Sequence, residues 1–257
     1  MIAAEGHTDM AGESDDREAQ FLELAPFRAR LYAWLTAAFS RAPEPQDLAL
    51  IATDAFIDAI EAFGEGTTGT LRVCAASHRA SGQWLVEARQ EFMNLFKVPG
   101  RQYVPAYESV FRDSREVNGR TVQGLLAGPS CSDVQRWYQL AAVDVSPEFK
   151  DLNDHIALEL NFLSHLCGKE IEFATLKDTR RLARTWEIER DFLSMHIVSW
   201  IGMLRDRICE KTDHPYYRGV SCLAAEFTQR DLDTLVSLAG PAHDAPWKEH
   251  GTAEVDP

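Results

Sequence analysis

The chain has 257 residues, 45% of them hydrophobic and 26% charged, with a formal net charge of −14. That length can bury a substantial core, and the composition is that of an ordinary globular protein. An excess of acid without a basic stripe argues against nucleic acid and anionic membrane surfaces as partners, while a basic peptide remains compatible.

The acidity is concentrated at the two ends. Residues 1–20 carry Glu5, Asp9, Glu13, Asp15, Asp16 and Glu18 against Arg17, and residues 241–257 carry Asp244, Glu249, Glu254 and Asp256 against Lys248. Both ends lack apolar periodicity. The expected organisation is a disordered acidic tail over 1–20, a helical domain over 21–239, and a second disordered tail over 240–257. The start has neither a basic n-region nor an apolar h-region, and no apolar run reaches the ~20 residues of a membrane span. A cytoplasmic chain without membrane insertion is expected. Cys74, Cys131, Cys167, Cys209 and Cys222 form no CxxC pair and read as reduced thiols, mostly small core residues.

In chain order, Phe21, Leu24, Phe27, Leu31, Trp34, Ala38 and Phe39 recur at helical spacing. Pro43 and Pro45 open a second helix whose apolar face is Leu48, Ile51, Ala52, Ala55, Ile60 and Phe63. Gly64 to Gly69 reads as a loop. Residues 70–96 read as one kinked helix or two, broken at Ser81-Gly82, with Trp84, Leu85, Ala88, Phe92, Leu95 and Phe96 on the apolar face. Residues 97–129 are rich in Pro and Gly and read as a long irregular segment, of the kind that is often functional. Helices resume near 131–142, 151–168, 175–194, 196–211 and 216–239. No strand pair is expected, because alternating β-branched runs are few. The fold class is therefore all-α, a single globular helical domain of about eight to ten helices with a long irregular central loop.

Several motifs fail on inspection. Gly64-Glu65-Gly66-Thr67-Thr68-Gly69 matches GxGxxG, but it follows a helix where a dinucleotide site needs a strand. Arg180-Arg181 is internal and helical, so it reads as a solvated face. His155 and Glu159 stand at i, i+4 and could hold a metal, yet Glu-x-x-His pairs and HExxH are missing from residues 21–239, and a hydrogen-bonded role fits better. Asp154 reads either as a helix cap or as a polar anchor for a ligand beside an apolar groove. A triad of Ser109, His155 and an acid lacks any fixing motif. No catalytic, metal or cofactor site is expected.

Three ordered stretches resemble a known family. They are Glu91 to Gly100 running on to Pro105-Ala106-Tyr107-Glu108-Ser109-Val110-Phe111, then Asn153-Asp154-His155 to Leu163, and then Phe192 to Trp200 followed by Pro215-Tyr216-Tyr217. Together they are similar to the signatures of the TorD/DmsD/NarJ family of redox-enzyme maturation chaperones, with Asn153 and Ala106 in place of family prolines and Ile197 in place of a leucine. The resemblance implies a TorD-like helical fold and no enzymatic activity. It implies a partner that is the catalytic subunit of a molybdenum oxidoreductase, or its twin-arginine leader, and a state that is a monomer or a domain-swapped homodimer. It also implies a peptide site near Phe92, Leu95, Phe96, Pro105, Tyr107, Glu108, Ser109, Asp154, His155 and Glu159. Asp154 and Glu108 could pair there with leader arginines. The competing expectation is a helical-bundle enzyme, a nucleotide hydrolase or a metal-dependent catalyst.

Overall fold

The computed structural model describes residues 8–61, 65–80 and 83–243, which form eleven α-helices, two π-helical turns and one small hairpin. The helices are α1 (Thr8–Ser40), α2 (Pro45–Ile51), α3 (Asp54–Ile60), α4 (Glu65–Ala80), α5 (Gln83–Phe92), α6 (Glu108–Arg112), α7 (Pro129–Leu140), α8 (Ile156–Thr175), α9 (Thr179–Phe192), α10 (Val198–Lys211) and α11 (Pro215–Ala239). The π-turns, Met93–Lys97 and Leu193–Ile197, extend α5 and lead from α9 into α10.

The all-α expectation holds, with local differences. α1 starts at Thr8 and not at Phe21, so part of the segment expected as tail is helical. Glu18, Ala19 and Gln20 are good helix formers, and acids near a helix start are favoured by its dipole. Residues 1–7 lie outside the described residues. Leu24, expected on the apolar face, is exposed. The expected second helix is two, α2 and α3, separated where the Thr53 side chain accepts the Phe56 N–H and caps α3; Phe63 lies outside the described residues. Residues 65–69 of the expected loop form the first turn of α4, while Gly64 and the Ser81-Gly82 break lie outside the described residues. Within the irregular segment stand the short α6 and an antiparallel hairpin, β1 (Arg115–Val117) paired with β2 (Arg120–Val122). Asn118 and Gly119 both take positive φ at its turn, the conformation of a two-residue hairpin loop. No strand pair was expected there, because the strands are too short to show a period.

The long helices α1 and α8 lie against each other, and α11 packs on α1, α4, α9 and α10. Aromatic rings fill the seams. Phe162 of α8 meets Phe192 of α9 edge-on at 4.8 Å between ring centres, and Tyr32 of α1 lies 4.7 Å from Phe227 of α11. Trp34, Trp84, Phe92 and Phe96 of the predicted stripe are buried, as are Cys74, Cys131 and Cys167; each large side chain removed from water contributes about 1.5–3 kcal/mol.

One polar cluster crosses this core. Arg28 of α1 donates to Glu170 of α8 at 2.8 Å, to Glu189 of α9 at 2.7 Å and to Asp231 of α11 at 2.7 Å. Tyr32 adds a hydroxyl donor to Asp231 at 2.6 Å. Burial, then the neighbouring Glu170, push the Glu189 carboxyl well above the usual range. One cation thus registers four helices. Cys167 comes within 4.8 Å of the Glu170 and Glu189 oxygens, but Arg28 already engages both carboxyls.

Candidate functional site

The three signature stretches meet at the start of α8. Val104 precedes Pro105, and a residue before proline favours extended backbone. Residues 104–108 accordingly run beside 154–156. Glu108 N–H donates to Asp154 O at 2.9 Å, Ile156 N–H donates to Ala106 O at 3.0 Å, and Tyr107 and His155 form an antiparallel bridge. Leu95 O accepts the Val104 N–H at 2.7 Å, fastening the same strand to the π-turn after α5.

Asp154 is a cap, but not of the helix that follows it. Its Oδ2 accepts the Ser109 N–H at 2.9 Å, in the first turn of α6, 45 positions away in sequence. The N-cap of α8 is His155, whose Nδ1 accepts the Ala157 N–H at 3.1 Å. That bond needs an unprotonated Nδ1. Burial, joined by the nearby Lys97 charge and opposed by Asp151, pushes His155 down to about 4. The ring is therefore neutral, with its proton on Nε2.

Beneath this lies a second polar layer. Glu108 is fully buried and accepts from His196 Nδ1 at 2.9 Å, while Arg112 closes its other side. The wider π-turn Leu193–Ile197 presents His196 there. Trp200, one turn on, donates its indole N–H to Glu159 Oε2 at 3.1 Å. Burial, then the neighbouring Glu108, hold the Glu159 carboxyl well above its usual value. His196 and Trp200 complete this layer. They stood in the third stretch without an assigned role, because sequence spacing does not show what a helix residue meets across the core.

Of the ten residues singled out, Tyr107, Glu108, Ser109, Asp154, His155 and Glu159 are brought together. Phe92, Leu95 and Phe96 form an apolar layer below, where Phe96 packs on Phe39 and Tyr217 at 6.0 and 5.9 Å. Pro105 and Tyr107 alone among the ten are only partly buried. Glu108 is committed to His196 and Arg112 and offers nothing to solvent. At the surface, Tyr107 donates to Asp151 Oδ1 at 2.7 Å, and Lys97 stands 3.5 Å from Asp151 Oδ2. Burial raises the Asp151 carboxyl, but these two partners outweigh it and leave it below its usual value. His155 and Glu159 turn to different partners, His155 Nδ1 to the Ala157 N–H and Glu159 Oε2 to the Trp200 indole.

A cleft of about 470 Å³ opens on the flank of the first turns of α8. Val143, Phe149, Leu158 and Phe162 make its floor, and Asp144, Asn161 and His165 stand in its wall. The Phe149 ring lies 5.9 Å from that of His155, joining cleft to signature residues. None of the ten lines it. Leu158 and Phe162 stand one turn apart and carried the signal, whereas Val143 and Phe149 lie in a loop with no period to reveal them.

A helical domain with signature carboxyls and imidazoles consumed in its own packing, beside an open apolar cleft, has the makings of a binding protein. Residues 61–206 match the family described as nitrate reductase delta subunit. The chain is 24% identical over 221 residues to the chaperone protein TorD of Vibrio cholerae, covering 84% of this chain and 95% of that one. It is 31% identical over 138 residues to the chlorate reductase assembly chaperone protein of Ideonella dechloratans, covering 53% and 64%. Over 84 residues it is 32% identical to the selenate reductase assembly chaperone protein of Thauera selenatis, covering 33% and 42%. The chain belongs to the nitrate reductase delta subunit family, and its relatives are named as chaperones and not as enzymes.

Proposed function

We propose that the chain is an assembly chaperone for the catalytic subunit of a molybdenum oxidoreductase. It acts by binding and release, holding the subunit in the cytoplasm while cofactor and partner subunits are added. The observation that carries this reading is the family match, with its relatives named for chlorate and selenate reductase assembly. The apolar floor and acidic Asp144 of the cleft support an amphipathic segment with basic residues as the part of the client that is held, and a twin-arginine leader has that character. In this reading Tyr107 and Pro105 reach the client at the surface, while Glu108, Ser109, Asp154, His155 and Glu159 hold the ridge in shape from below. Phe92, Leu95 and Phe96 support that ridge from the core.

The test is calorimetric titration with leader peptides of molybdoenzymes encoded beside this chain, with a twin-lysine leader as control, and pull-down of the catalytic subunit with and without its leader. Saturable binding of one leader, weakened at least tenfold by Asn161→Arg in the exposed wall of the cleft, is the expected result. Retention of the leaderless subunit alone would replace the leader with the mature subunit. No association with either would remove the proposal.

A further inference from the structure

α10 and α11 are antiparallel neighbours joined by Thr212, Asp213 and His214. Their register can be read along the seam. Val198, Ile201, Gly202 and Arg205 line one side of a cleft whose other side is Ala225, Glu226, Gln229 and Arg230. Nearer the turn, Arg218 Nη1 of α11 donates to Cys209 O of α10 at 2.8 Å and reaches Thr212 O at 3.3 Å. One helical turn separates Arg205 from Cys209, one separates Cys222 from Glu226, and one separates Arg218 from Cys222, so each pair shares a face. The register therefore sets Cys209 opposite Cys222, near enough for Cys209 to push the Cys222 thiol up. Both are partly open to solvent, whereas Cys74, Cys131 and Cys167 are buried.

We propose that Cys209 and Cys222 are a redox modification site, closing to an intramolecular disulfide in the presence of a peroxide and reopening with a dithiol. The balanced change is two thiols and one hydrogen peroxide giving one disulfide and two waters. Cys209 thiolate attacks the peroxide and breaks its O–O bond, leaving a sulfenic acid and hydroxide, which takes up a proton to become the first water. Cys222 sulfur then attacks the sulfenic sulfur, its proton and the hydroxyl leaving as the second water. The order follows from Cys222, whose thiol burial and the Cys209 neighbour push up to about 11, making it the poorer first nucleophile. The bridge would tie the last turn of α10 to the second turn of α11 and stiffen the hinge between them. It is independent of the client proposal.

The experiment treats the full-length protein with hydrogen peroxide, alkylates remaining thiols, and maps them by mass spectrometry. The expected result is loss of two mass units confined to the Cys209–Cys222 peptide pair, reversed by dithiothreitol. A rise in Tm of about 6–10 °C should accompany it, as a short closed loop in a chain of this size predicts. Cys209→Ser should abolish the bridge, and Cys222→Ser should instead leave a sulfenic acid at Cys209 that a dimedone probe traps. Alkylation of both cysteines after peroxide treatment, or bridging of either to a different cysteine, overturns the proposal. Both readings come from the wild-type chain and do not depend on the variants folding.

Discussion

Replacing Arg28 by alanine should be the most damaging single change in the core. The guanidinium is buried and makes hydrogen bonds to Glu170, Glu189 and Asp231. Removing one partner of a buried ion pair costs about 3–5 kcal/mol, because the other charge is left uncompensated. Three acidic side chains lose the same donor at once, so the upper half of that range is expected. Against a total stability of about 5–15 kcal/mol, the variant should remain folded only at low temperature. Its relief is proton uptake by the stranded cluster. Carboxyls whose folded pKa lies above the unfolded value bind more protons when folded, so stability grows as pH falls and is lost as pH rises through the folded value. Urea unfolding at pH 7.5 and pH 5.5 measures this. The variant should recover at least 1 kcal/mol relative to wild type at the lower pH. A cost below about 1 kcal/mol, or a cost identical at both pH values, would refute the claim that this one cation registers four helices.

Other expectations concern the start of α8. His155→Asn keeps a capping side chain but removes a buried imidazole held at about 4 against an ordinary 6.5. A group with a depressed folded pKa loses its stabilisation as pH falls, so wild type should lose stability between about pH 6.5 and 4 relative to the variant in paired chemical unfolding. Asp154→Ala leaves the Ser109 N–H without its acceptor and should cost about 1–3 kcal/mol in the same assay; a cost near zero would remove its role as a cap across the chain. Gly124→Ala would set a methyl against the Ser109 carbonyl. A melting temperature lowered by several degrees is expected, and an unchanged one would mean the 109–124 approach is loose. Tyr107→Phe loses the bond to Asp151 at a partly exposed site and should cost only about 1 kcal/mol. If client affinity falls tenfold while stability falls no further, Tyr107 lies on the binding surface.

The helices were legible wherever apolar residues repeat over three turns or more, as in Phe27, Leu31, Trp34 and Ala38. Their ends were less so. Asp154 looks like the cap of α8, yet His155 performs that task, since the choice is set by which backbone N–H each side chain meets in the folded chain. The hairpin was announced by Asn118-Gly119, a strong turn signal, but strands of three residues left no alternation beside it. The signature stretches were visible as words and not as contacts. That Glu108 would spend itself on His196, 88 positions away, is a tertiary fact. The cleft floor was half hidden for the same reason, as Val143 and Phe149 are ordered by packing and not by period.

The bridge between Tyr107 and His155 pins together the two ends of the segment that holds α6, the hairpin and α7. Within it the hairpin tip at Asn118 and Gly119 is exposed, so the chain can lengthen there almost freely. Doubling a flexible loop costs only about 0.6 kcal/mol in closure entropy. Residues inserted at Asn118-Gly119 should therefore leave α8 and the cleft where they are. That tip is the place where a descendant of this chain could acquire a new appendage without rebuilding its framework.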